Sequence, residues 1–104
     1  RKEDYMFDFK IAEIEGCYLV QGYDSSGSGI GSSIVFYSDD IIDKYSPEQF
    51  DTSDEAIEAA RGEYRDKFIT AFSKVPLEEI DNLCDRIVLL ISLDIIKLYE
   101  QDED

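Results

Sequence analysis

The chain opens on an alternation of apolar and polar positions. In "YMFDFKIAEI", Tyr5, Phe7, Phe9 and Ile11 fall on one side of an extended chain, with Asp8 and Lys10 on the other. A period of two marks a half-buried strand. Glu15 and Gly16 interrupt it, and "CYLVQGY", Cys17 to Tyr23, reads as a second strand. Residues 24 to 33 are glycine, serine and aspartate with one isoleucine, which is turn chemistry. "SIVFY", Ser33 to Tyr37, is β-branched and aromatic and predicts a third strand. The expectation is an antiparallel meander over residues 5 to 37, with Tyr5, Phe7, Phe9 and Ile11 facing the remainder of the protein.

The period then lengthens. "SDDIIDKYSPEQF" predicts a short helix or turn, with Ser46-Pro47-Glu48 opening another turn. Thr52 or Ser53 suits a helix N-cap, and Thr52 to Glu55 has capping-box spacing. Ile57, Ala60, Tyr64, Phe68, Ala71 and Phe72 recur at helical spacing and stop near Lys74. Pro76 suits the first turn of a second helix, from about Leu77 to Tyr99. Its main apolar face is Ile80, Leu83, Cys84, Ile87, Ile91, Ile95 and Leu98, and the tail "EQDED" is expected to fray. Strands first and helices after predict an α+β fold, with about three strands packed against helices near 54–74 and 77–99. No linker or repeat divides the chain, so the expected organisation is one domain over residues 1–104.

Two features of the last helix stand apart. Leu89, Leu93 and Ile96 form a second stripe opposite the main face, with Leu90 between the two. Such a helix is covered on several sides. Either the first helix and residues 41–50 cover the stripe, or a second subunit does, which makes Leu89, Leu93 and Ile96 the expected self-association site of a possible homodimer. Asp94 falls between Leu90 and Leu98 on the flank of the main face. A carboxylate buried there needs a partner, for which Lys97, Lys10 or a tyrosine hydroxyl would serve; at the rim it reaches water.

Composition narrows the chemistry. Histidine is absent, which removes the commonest general base and metal ligand. Cys17 and Cys84 fit no metal spacing, and each sits in an apolar pattern, so both read as buried free thiols. The glycine-serine loop is neither a P-loop, since Gly31 is followed by Ser32 and Ser33, nor a dinucleotide loop, since Gly27, Gly29 and Gly31 alternate. Asp24, Ser26, Ser28 and Gly29 begin a calcium-loop pattern, but its closing glutamate position holds Val35. The loop is expected to be a flexible hairpin connection without ligand. Adjacent carboxylates such as Glu78-Glu79 and the pair Glu55 and Glu58 read as solvated helix faces. The expectation is no catalytic residue, no metal and no cofactor.

Charge carries the remaining signal. Twenty-five acidic residues against ten basic ones give a net charge of −15. Acids in the first turns of helices answer the helix dipole, and Glu63-Lys67 is a supportive i,i+4 pair, but neither requires a charge this large. It repels nucleic acid and anionic membrane and attracts cationic proteins. The longest apolar stretch, Ile87 to Leu93, is too short to cross a bilayer, and "RKEDYMFDFK" does not read as a signal peptide; a cytoplasmic protein is expected. Asp39, Asp40, Asp43, Asp54, Glu55, Glu58 and Asp66 are the expected partner-binding acids. The expected partner is a basic protein such as a nuclease, whose phosphate-binding cleft the carboxylates would fill. This is the chemistry of an immunity protein or antitoxin guarding against a nuclease toxin. The alternatives are a phage-type DNA mimic aimed at a restriction or CRISPR nuclease, and a small dimerising module without inhibitory role.

Overall fold

A computed structural model describes residues 6–101. Strands β1 (Phe7–Ile14), β2 (Cys17–Asp24) and β3 (Gly29–Tyr37) form an antiparallel sheet in the order β1-β2-β3. Helices α1 (Ser38–Lys44), α2 (Ser53–Ala71) and α3 (Leu77–Gln101) follow, so the fold is α+β. The alternation read from β1 holds: Phe9 is buried, and Phe7 and Ile11 pack against the core. Tyr5 and the last three residues of the acidic tail lie outside the described residues. Thr52 caps α2, its hydroxyl accepting from the Glu55 amide at 3.2 Å.

The third strand is longer than its sequence suggests. It begins at Gly29, so the expected loop of residues 24–33 shrinks to a turn at residues 25–28. The reason is a register shift between Val20, which faces Ile34, and Gly22, which faces Ile30. Two extra residues of β3 bulge there, and Gly31 sits at φ +60°. An added Cβ at Gly31 would stand 2.1 Å from the Ala71 carbonyl oxygen. Glycine therefore lets the strand pass beneath the end of α2 without a side chain in the way.

One aromatic path joins the layers. Phe9 meets Phe72 edge to face at 5.1 Å between ring centroids, and Phe72 lies 6.3 Å from Phe68. Phe68 meets Phe36 at 5.8 Å, Phe36 meets Tyr64 at 4.2 Å, and Tyr64 meets Tyr45 at 6.3 Å. Around it close Val20, Ile41, Ile80, Leu83, Cys84, Ile87, Ile91 and Ile95, all essentially inaccessible. Each such side chain contributes about 1.5–3 kcal/mol of burial free energy. The α2 stripe differs by one position from its sequence reading. Ala56, Ala60, Tyr64 and Phe68, spaced by four, face the core, and Ile57 is only half-buried on the flank toward Val88 of α3. Leu98, placed on the main face of α3, is likewise half-buried.

The Gly31 passage generates a paired test. Gly31→Ala should destabilise the protein by roughly 1–3 kcal/mol, because it adds steric conflict to a left-handed backbone. Gly62→Ala, in the exposed middle of α2 with nothing within 4 Å of the new methyl, should stabilise it by about 0.5–1 kcal/mol. Thermal denaturation followed by circular dichroism should move the two midpoints in opposite directions.

Candidate partner-binding surface

Ion pairs consume few of the acids. Arg61 binds the Asp85 carboxylate at 2.7 Å, Arg65 binds Asp81 at 2.7 Å, and Lys44 binds Glu63 at 3.1 Å. The two arginines clamp α2 to the start of α3. These contacts are at the surface and contribute about 0–1 kcal/mol each. Asp39, Asp40, Asp43, Asp54, Glu55, Glu58 and Asp66 are all exposed, and among the described residues none has an ion-pair partner. Asp39 and Asp40 stand in the first turn of α1, Asp54 and Glu55 in the first turn of α2.

The fold divides these seven acids. Asp40 lines a groove of about 70 Å³ where β3, α1 and α2 meet, together with Val35, Tyr37, Glu63 and Lys67. Asp43 borders a different hollow with Ile42, Pro47 and Leu98. Asp54 and Glu58 line the α2–α3 groove with Ile57, Arg61 and Val88. Asp66 sits beside Ser32 and Ile34 near the bulge. Asp40 and Asp43 thus stand beside exposed apolar side chains, and Asp54, Glu58 and Asp66 line other hollows.

Sequence reasoning missed that apolar component. On the sheet face turned away from the helices, Ala12 pairs with Leu19 and Leu19 with Val35, and Ile14 pairs with Cys17 and Cys17 with Tyr37. Ile14 is 52% exposed, Val35 40% and Tyr37 58%. These two rows carry no charge. The signal lay in the uninterrupted "CYLV", since a strand apolar on both sides needs cover on both.

Other polar contacts serve the fold. Tyr45 and Lys44 both donate to Glu63, and this network fastens α1 to α2. The expected Glu63-Lys67 pair is not formed at bonding distance; Lys44 takes that place because α1 lies directly against Glu63. The hydrogen bond from Tyr45, then Lys44, holds the Glu63 carboxyl below the usual glutamate range. Burial, then the bond to Glu63, pushes the Tyr45 phenol well above its ordinary value. The Tyr18 hydroxyl donates to half-buried Asp94 at 2.8 Å, so a tyrosine is the partner that Asp94 needed. Glu79 accepts from the Phe7 amide at 3.3 Å and covers part of the β1 edge. Cys84 is buried, with its thiol pushed up by desolvation, whereas Cys17 is half-buried because it points to the open sheet face; both are free.

The candidate calcium loop is a self-contained turn. The Asp24 carboxylate accepts from the Ser26 amide at 2.9 Å, the Ser26 hydroxyl at 2.5 Å and the Ser28 amide at 3.0 Å. Those bonds, the Ser26 hydroxyl first, lower its pKa and fix the Gly27 turn. Among the described residues no three cysteine, aspartate or glutamate side chains converge as a metal site requires. Among the same residues no helix is long and apolar enough to cross a membrane. Comparison with known protein families, with curated proteins and with solved structures returned no match.

The Glu63 network sets a pH dependence. A carboxyl with a depressed folded-state pKa adds stability above its unfolded value, and that stability is lost as pH falls through the folded value. Glu63→Gln should therefore melt below the wild type at pH 7, and the gap should close as pH falls below about 4. A gap unchanged across that range would show that the charge on Glu63 does not hold α1.

Proposed function

We propose that this chain is a non-enzymatic acidic binding protein that neutralises a basic partner, in the manner of an immunity protein or antitoxin blocking a nuclease toxin. The observation that carries the reading is that the seven nominated acids are exposed and unpaired among the described residues. Self-repulsion at a charge of −15 costs stability, and ion pairing among the described residues does not account for these carboxylates. Carboxylates at fixed positions on helices compete with phosphates for the same arginine and lysine side chains.

The α1 end is the best centre for such an interface. Tyr37, Val35 and Ile42 are exposed beside Asp39, Asp40 and Asp43. Charge alone speeds encounter, while a desolvated aromatic anchor slows release. The acids of α2, which line other hollows, contribute long-range attraction. A DNA mimic would instead spread its contacts evenly over all seven acids.

The test compares two reversals. Asp39→Lys with Asp43→Lys should weaken binding to the captured partner through both rates. Glu55→Lys with Glu58→Lys should slow association by roughly ten-fold at low salt and leave dissociation nearly unchanged. Tyr37→Ala should cost about 1–2 kcal/mol of binding. The partner comes from a pull-down in source cells, followed by a nuclease assay with and without this protein. A toxin encoded next door supports immunity; a restriction or CRISPR nuclease supports the mimic. A neutral or acidic partner, unaffected by the reversals, would reduce the charge to a solubility device.

A further inference from the structure

The face of α3 turned away from the core is not covered by any of the described residues. Leu89 is 71% exposed, Leu93 61% and Ile96 38%. Neither α2 nor residues 41–50 lie over them, so the covered alternative is closed within the described residues. The stripe extends at both ends. Asn82, Arg86, Leu89, Leu93, Ile96 and Glu100 are all exposed and are spaced by four, three, four, three and four residues. That spacing is the seam of a helix pair.

We propose that the occupant is a second copy of this chain, its α3 lying antiparallel along the first. An antiparallel seam with a two-fold axis at Ile91 sets Leu89 against the partner's Leu93 twice at its centre. It sets Arg86 against the partner's Ile96, within one turn of the partner's Glu100, and the same contact repeats by symmetry. A parallel pair would stack Arg86 on Arg86 and Glu100 on Glu100. Charge thus selects the antiparallel arrangement. It also favours this face over the acid-bearing sides of α1 and α2. Arg86 and Lys97 are exposed, and among the described residues neither has an ion-pair partner; between residues 82 and 100 they stand against Glu100, since Asp85 is paired with Arg61. Two strongly acidic molecules meet most easily where their surfaces are locally neutral.

The contact is small. From residue 82 to residue 100 the seam runs about 27 Å at 1.5 Å per residue. A single helix pair of that length buries less than the roughly 800 Å² per partner of a standard stable interface. The dimer is therefore expected to be weak and reversible, forming over roughly the micromolar to hundred-micromolar range. The seam lies on α3, apart from the α1 end proposed for the basic partner, so its failure would leave that reading untouched.

Sedimentation equilibrium of the full chain tests it. The average mass should rise from 11.9 kDa toward twice that value with concentration. Leu93→Glu should remove the rise without loss of helix by circular dichroism, since Leu93 is exposed. Arg86→Glu or Glu100→Arg alone should weaken association several-fold, and the double exchange should restore it. A monomer at every concentration overturns the proposal. So does a dimer that survives Leu93→Glu, or a double exchange no better than the single changes.

Discussion

The interlocked rings between sheet and helices are the contact on which the rest depends. A three-stranded sheet cannot bury both its faces. Here Phe9, Val20 and Phe36 give it one apolar side, and Phe68, Phe72 and Tyr64 of α2 close over that side. The layers must come near enough for rings to touch, which forces the backbone approach of Gly31 to Ala71. The same path ends at Tyr45, which lines the groove that also holds Asp40. The packing that makes the core therefore fixes where the α1 acids stand.

Electrostatics divides the molecule by role. The described ion pairs join one element to another: Lys44 to Glu63, Arg61 to Asp85, Arg65 to Asp81. The acids of α1 and the nominated acids of α2 are exposed and, among the described residues, have no such partners. Near-neutral ground is left on the outer sheet face and along the outer face of α3. Charge and open apolar side chains meet only at the α1 end among these surfaces, where Val35 and Tyr37 line the groove that holds Asp40.

Much of this was legible in the sequence. Alternation at Phe7, Phe9 and Ile11 marked β1 and its inner side, and the spacing from Ala60 to Phe72 marked α2. Thr52 was named as one of two possible caps. What failed had identifiable causes. The bulge in β3 depends on Ala71, forty residues away in sequence, so the loop was drawn too long. Tyr18 and Asp94 are 76 positions apart, and only the folded layers bring them together. Ala56 stands four residues before Ala60 and Ile57 three, so both fit helical spacing and the larger side chain drew the reading. The seven nominated acids are shared between α1 and α2, and Asp40, Asp43, Asp66 and the pair Asp54 and Glu58 border four different hollows. Helix-wheel reasoning cannot see a relation between two helices.

The central claim is that fixed surface carboxylates govern recognition of a basic partner. The direct measurement is the association rate with that partner as a function of salt, between about 20 and 500 mM. The account predicts a fall of at least roughly ten-fold across that range, with a dissociation rate that changes far less. An association rate that stays flat as salt is raised would contradict it.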